Sequence, residues 1–269
     1  MIRSTFALML AAASLSAQVS FDRLVRAGDT PQDWLNYSGS FLSQRYSALD
    51  QVTPDNVKNL EQKWIFQARS IEKFEATSLV VDGVMYTVQA PNDIVALDAT
   101  NGRIFWIYSY SPAPQARLCC GRVNRGLAIL GDTLFMGTID AHIVAVDAKN
   151  GHLLWNTPVA DPAAGYAITH APLVVKDKVI VGTAGGEYGI RGFLAAYDVH
   201  TGKEAWRLDV YKRQVLASGK TKMSLTSVRA LPSHRPVSYT HLDVYKRQIS
   251  SSALAATIAC SAESSSMRA

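Results

Sequence analysis

Three stretches share one pattern: ALDATNGRIFW at residues 96–106, AVDAKNGHLLW at 145–155 and AYDVHTGKEAW at 196–206. Each has an aspartate, a glycine four residues later and a tryptophan four residues after that. The aspartates, Asp98, Asp147 and Asp198, are separated by 49 and 51 residues. A near-constant spacing of this size is typical of proteins built from structural repeats. The sequence therefore predicts one folding unit per spacing.

The local pattern within each unit predicts four β-strands. An apolar run leads into the aspartate, a polar turn with Asn-Gly or Thr-Gly follows, and we expect a second strand that ends in the tryptophan. Two further strand-like runs separated by a turn lie upstream of each hairpin, at 78–88, 126–137 and 171–182. Four strands per repeat with a recurring tryptophan are typical of the blades of a β-propeller. We therefore predict an all-β fold, a partial β-propeller of about three blades, over a β-sandwich with chance similarity.

The charge of the chain does not indicate a nucleic-acid partner. The formal net charge is +5, but residues from 209 onward carry nine Lys/Arg against three Asp/Glu. The first 208 residues therefore have a net charge of −1. Because the excess of positive charge lies only at the end of the chain, we expect no nucleic-acid binding.

The beginning of the chain has the order of features found in export signals. Arg3 is followed by an apolar run at 6–13 and small residues at 14–17. We predict a signal peptide at 1–17, a periplasmic location, and no stable membrane span, since the apolar run is too short to cross a bilayer. An ordinary buried N-terminal helix is the alternative.

The repeat pattern stops after Trp206. The hexamer DVYKRQ occurs at 209–214 and again at 243–248 without similarity around it. We predict a propeller domain at 18–208 and a non-native or disordered tail at 209–269, with a native basic linker as the alternative.

Adjacent cysteines, Cys119 and Cys120, leave two interpretations open. In an exported chain they favour a disulfide, which between neighbours closes a strained ring. Two core thiols are an equally good interpretation of these residues alone.

Several longer motifs resemble one family. CCGRVNRG at 119–126, THAP at 169–172 and AGGEYGIRG at 184–192, with DWLNYSG at 33–39 and SALDQVTPDNVKNL at 47–60, are similar to the quinoprotein alcohol dehydrogenases of the methanol/ethanol type. The resemblance covers residues 31–208. It implies an eight-bladed propeller around pyrroloquinoline quinone (PQQ) and Ca²⁺, or a lanthanide, of which this chain holds about the first three blades.

The resemblance also implies the roles of individual residues. The cofactor contacts are Glu75, the disulfide-forming Cys119 and Cys120 against one face of the quinone, Arg125 on a cofactor carboxylate, the Thr169 hydroxyl, and the backbone of Ala184, Gly185 and Gly186. The family often has a serine where Ala184 stands, which leaves no side-chain hydrogen bond there. Glu187 matches a ligand of the metal ion, for which a carboxylate oxygen is suitable chemistry.

The activity implied is oxidation of primary alcohols to aldehydes by hydride transfer to metal-bound PQQ, with a periplasmic cytochrome c as electron acceptor. The catalytic aspartate, a further metal ligand and a covering tryptophan belong to later blades in the family, so we expect this chain to be inactive alone. The alternatives are a non-catalytic periplasmic propeller that binds proteins, and the membrane-bound glucose dehydrogenase branch. Cys119, Cys120, Arg125 and Glu187 favour the alcohol dehydrogenases, because a scaffold does not need them.

Overall fold

A computed structural model describes residues 19–209. Both the predicted signal peptide at 1–17 and all but the first residue of the predicted tail at 209–269 lie outside this range. The strands are β1 Leu79–Val81, β2 Val84–Gln89, β3 Asp93–Asp98, β4 Ile104–Tyr108, β5 Ala128–Leu130, β6 Thr133–Gly137, β7 His142–Asp147, β8 Leu153–Pro158, β9 Leu173–Val175, β10 Lys178–Gly182, β11 Phe193–Asp198 and β12 Glu204–Asp209. One short helix, α1, spans Phe21–Val25, and 3-10 turns lie at Ala27–Asp29, Val57–Asn59, Pro162–Ala164 and Gly186–Tyr188.

The twelve strands form three sheets of four, which confirms the predicted blades. Blade 1 contains β1 to β4, blade 2 contains β5 to β8 and blade 3 contains β9 to β12, each in sequential order. All neighbours within a blade are antiparallel. One detail of the prediction was wrong. The fourth strand does not end at the tryptophan but continues past it, to Tyr108, Pro158 and Asp209, because these residues keep pairing with the third strand.

The repeated aspartate closes the turn between the third and fourth strands. The Asp98 carboxylate accepts hydrogen bonds from the Thr100 backbone N–H at 2.9 Å and from Asn101 Nδ2 at 2.8 Å. Asp147 and Asp198 accept equivalent bonds from backbone N–H groups two residues later. An aspartate that bonds its own backbone in this way favours a turn over a continued strand. The sequence pattern therefore corresponds to a local hydrogen-bond requirement.

Each repeated glycine packs against a tryptophan from earlier in the chain, and two of these contacts, those of Trp106 and Trp155, join neighbouring blades. A Cβ placed on Gly102, Gly151 or Gly202 would come within 2.5, 2.6 or 2.7 Å of the indole of Trp64, Trp106 or Trp155, respectively. Each indole Nε1 also donates a hydrogen bond to a carbonyl in that same turn, at 3.1–3.2 Å. The glycines have φ values of 67–76°, which residues with a side chain rarely adopt. Only glycine satisfies both the turn and the packed indole.

The core lies in the middle strands and between the blades. Tyr86, Phe135 and Met136 are at most 2 % exposed, whereas β12 is exposed along its whole length. The innermost strands β5 and β9 approach each other across the blade boundary. Within residues 19–209, no helix is both long and apolar enough to cross a membrane.

Candidate functional site

Three predicted site residues lie just before the innermost strands of the three blades. Glu75 precedes β1, Arg125 precedes β5 and Thr169 precedes β9. Backbone hydrogen bonds join the segments that lead into these strands. They run from Thr77 N to Arg125 O and from Arg125 N to Thr169 O, both at 3.0 Å. The fold therefore brings residues that are 94 positions apart in the sequence to one edge of the inner strands.

The side chains of these three residues form one polar network. Arg125 Nη2 lies 3.0 Å from Glu75 Oε2, and Arg125 Nη1 donates to Thr169 Oγ1 at 3.0 Å. The side chains of Arg125 and Glu75 are 40 % and 35 % exposed. An ion pair this exposed contributes little to stability. Its effect is to orient the guanidinium while leaving part of it open to a ligand.

The two cysteines lie in the connection between β4 and β5. Their Sγ atoms are 2.6 Å apart, and both side chains are exposed free thiols. Hydrogen bonding to Cys120 and then to the Glu187 carboxylate raises the pKa of the Cys119 thiol to about 12. The geometry brings the two sulfur atoms together at the site, and the disulfide between them stays a prediction.

The third group of predicted residues lies in the connection between β10 and β11. Ala184 exchanges two backbone hydrogen bonds with Ala167, at 2.7 and 3.1 Å. Gly185 has a φ of 114°, and a Cβ there would collide with the Gly165 carbonyl. At Gly186, by contrast, a Cβ would meet nothing within 4 Å. The exposed Glu187 follows in a 3-10 turn, so this segment presents bare backbone and a carboxylate.

The predicted residues therefore form two contiguous groups, Glu75 with Arg125 and Thr169, and Cys119 with Cys120 and Glu187. Within the described chain, no three His, Cys, Asp or Glu side chains cluster closely enough to hold a metal ion. The metal role of Glu187 accordingly stays a prediction.

Sequence reasoning missed two residues of this region. Lys73 Nζ donates to the Cys120 carbonyl at 3.4 Å, and nothing in its sequence context indicates this contact. His170 follows Thr169 directly, and Gly182 N donates to its Nε2 at 3.2 Å. Its position inside the THAP motif was the available signal.

A separate apolar groove of about 430 Å³ lies beside blade 1. Its lining residues are Trp64, Phe66, Ala68, Phe74, Ser78, Met85, Thr87 and Leu97. None of the lining side chains is charged, so this groove has no group that would pair with a charged ligand.

The polar network is suited to an anionic, flat ligand. Arg125 offers a planar donor that matches a carboxylate, the thiol pair offers a soft surface, and the open position at Gly186 lets a ligand approach the backbone. A propeller with such groups at its inner loops fits the class of quinone-cofactor dehydrogenases.

Comparison with known proteins establishes the family. Residues 34–230 match the family described as "PQQ: Glucose/ethanol/alcohol dehydrogenase, beta-propeller domain", and the chain belongs to this family. It is 42 % identical over 197 residues to the quinohemoprotein alcohol dehydrogenase ADH IIB of Pseudomonas putida, covering 72 % of this chain and 29 % of that protein. It is 41 % identical over 211 residues to methanol dehydrogenase [cytochrome c] subunit 1 of Methylobacterium organophilum, covering 74 % and 34 %.

A solved structure supports the same assignment. The structure of a europium-containing methanol dehydrogenase superposes with a TM-score of 0.67 at 40 % identity, covering 70 % of this chain and 34 % of that one. The chain thus spans about a third of the length of the relatives it matches.

Proposed function

We propose that this chain is the cofactor-binding part of an exported, PQQ-dependent alcohol dehydrogenase. The complete enzyme oxidises primary alcohols to aldehydes in the periplasm and passes electrons to a cytochrome c. Family membership supports the cofactor and the reaction class, and the names of two relatives, an alcohol dehydrogenase and a cytochrome c-linked methanol dehydrogenase, support the substrate and the acceptor.

The network from Glu75 through Arg125 to Thr169 is the observation that carries this proposal. Its contacts of 3.0 Å join residues from all three blades at one place. A propeller that only bound other proteins would not need an oriented, half-exposed arginine among its inner loops. The network is therefore better explained by a small anionic ligand than by a scaffold role.

Each group has a distinct task in this proposal. The Arg125 guanidinium binds a carboxylate of the cofactor, and Thr169 donates its hydroxyl. Cys119 and Cys120, joined as a disulfide, form a rigid wall against one face of the ring system. The backbone of Ala184, Gly185 and Gly186 lies along the ring system. Gly186 leaves open space for this approach, whereas Gly185 is small because it packs against the Gly165 carbonyl.

Glu187 supplies a carboxylate for Ca²⁺ or a lanthanide beside the cofactor. A hard cation takes six to eight oxygen ligands, so Glu187 provides only part of its shell. When bound, metal-associated PQQ supplies a quinone carbonyl that accepts hydride.

The 269-residue chain should not oxidise methanol or ethanol with added PQQ and Ca²⁺. Dye-linked turnover above a cofactor-only blank would contradict this expectation.

Binding of PQQ to the 269-residue chain tests the proposal. Equilibrium dialysis should show saturable binding that Arg125→Ala weakens by about 10- to 100-fold, because a hydrogen bond to a charged group contributes roughly 1.5–3 kcal/mol. Arg122→Ala, three residues away and exposed, is the matched control and should bind like the parent. Equal affinities in all three proteins would overturn the proposal.

A further inference from the structure

His170 occupies the same place in blade 3 that Arg125 occupies in blade 2. Arg125 lies three residues before the first residue of β5, Ala128, and His170 lies three residues before the first residue of β9, Leu173. Both residues therefore lie in the segment that leads into an innermost strand. Since neighbouring blades repeat the same geometry, this offset places His170 at the same edge as the Arg125 network.

The His170 ring is held by one hydrogen bond. The Gly182 backbone N–H, at the end of β10, donates to Nε2 at 3.2 Å. A neutral imidazole that accepts at Nε2 carries its proton on Nδ1. Within residues 19–209, Nδ1 makes no hydrogen bond.

The surroundings keep this imidazole neutral. Desolvation, followed by the nearby charge of Arg125, lowers the pKa of His170 to about 4. His170 is therefore an uncharged N–H donor at neutral pH. Its partly buried ring is fixed by Gly182, so the donor has a defined direction.

We propose that His170 is a ligand-positioning residue whose Nδ1–H donates to an oxygen of the cofactor held by Arg125 and Thr169. This inference rests on the proposed function. Arg125 supplies the charge that attracts an anionic ligand, and His170 adds a further neutral donor, which gives direction without adding another positive charge to the site. The competing explanation is that His170 only satisfies the Gly182 N–H.

Two substitutions separate these explanations. His170→Gln retains an acceptor near the ε position for the Gly182 N–H but removes the donor at the δ position. His170→Asn retains a donor at the δ position but loses the contact with Gly182. The exposed His152 in the turn between β7 and β8 provides the control His152→Gln.

The experiment is equilibrium dialysis of PQQ with the 269-residue chain and its variants. We expect His170→Gln to bind about tenfold more weakly, as for the loss of one ligand hydrogen bond. His170→Asn should remain within about threefold of the parent, because a donor at the δ position preserves most of the ligand contact, and His152→Gln should be unchanged. Parent-like affinity in His170→Gln, together with weak binding by Arg125→Ala, would overturn this inference alone. Parent-like affinity in Arg125→Ala, or no binding by the parent, would overturn the proposed function and this inference with it.

A second readout does not depend on affinity. Nitrogen-15 NMR of the histidine rings should show Nδ1 of His170 protonated and Nε2 unprotonated in the free chain. Added PQQ should then shift the Nδ1–H resonance in the parent. Protonation at Nε2, or an Nδ1–H resonance that PQQ leaves unmoved while the chain binds it, would contradict the assignment.

Discussion

The indole of Trp106 in blade 1 lies against Gly151 in blade 2, so closely that a Cβ on Gly151 would be 2.6 Å from the ring. The same glycine has a φ of 76°. Two separate requirements, one of the backbone and one of packing, therefore meet at one residue, and they can be separated by mutation.

Gly151→Ala should lower the free energy of unfolding by about 3 kcal/mol, combining left-handed strain with displacement of the indole. Gly83→Ala is the matched control, because Gly83 has a φ of 82° but no atom within 4 Å of its Cβ position. It should cost only about 1 kcal/mol. Urea denaturation measures both, and equal losses would show that the indole contact contributes nothing.

The tryptophan hydrogen bonds should not be equal in value. The Ala148 carbonyl accepts from Trp106 Nε1 and also from the Tyr86 hydroxyl, both at 3.2 Å. The Val199 carbonyl accepts from Trp155 Nε1 at 3.1 Å, and Phe135, packed on Trp155, has no hydroxyl to replace it.

Trp155→Phe should therefore destabilise the chain by about 2 kcal/mol and Trp106→Phe by about 1 kcal/mol, since only the first leaves its carbonyl without a donor. Trp206→Phe, at a side chain that is 42 % exposed, should cost less than about 0.5 kcal/mol. Thermal unfolding of the three variants provides the comparison. A larger loss from Trp106→Phe than from Trp155→Phe would contradict this ranking.

Glu187 should matter for metal-dependent binding more than Cys119 does. At saturating PQQ, Glu187→Ala should reduce bound calcium by about tenfold, because it removes the formal charge that this chain offers the ion. Cys119→Ala removes a packing surface worth about 1 kcal/mol and should leave calcium content nearly unchanged. Metal analysis after dialysis measures both. Unchanged calcium in Glu187→Ala would make Glu187 an ordinary loop carboxylate.

Acid should destabilise the chain partly through His170. Its pKa is lowered to about 4 in the folded chain, whereas an unfolded histidine has a pKa near 6.5. Between these values the unfolded state binds more protons, so stability falls as the pH drops from about 6.5 to about 4 and then stays level for this group. His170→Gln should lack this component in urea titrations across that range. An identical pH profile in the variant would contradict the lowered pKa.

The repeat could be predicted because each regularly spaced residue has a role within its own turn or strand. Asp98 closes its own turn and Gly102 adopts a positive φ, and a tryptophan such as Trp106 occurs at the same place in each blade. The pattern is therefore visible among residues that are close in the sequence. Antiparallel blades of four strands follow from it.

The contacts of the site were less accessible to sequence reasoning. Arg125 and Thr169 were identified through family resemblance, but their direct hydrogen bond links residues 44 positions apart. Likewise, the hydrogen bond from the Gly182 N–H to His170 depends on how the end of β10 lies beside the segment that leads into β9. Such contacts arise from the packing of distant segments, for which no local periodicity exists.

The recurring indole-to-glycine contact also bears on the order in which the molecule opens. Because each blade is joined mainly to its neighbours, local stability should vary along the row of blades as in a one-dimensional chain of coupled units. The fully exposed β12 should exchange its amide protons fastest among the strands, and the buried strands β6 and β7 of the central blade slowest. Hydrogen exchange should therefore reveal an opening that starts at the outer edge of blade 3 and reaches β6 and β7 of blade 2 last.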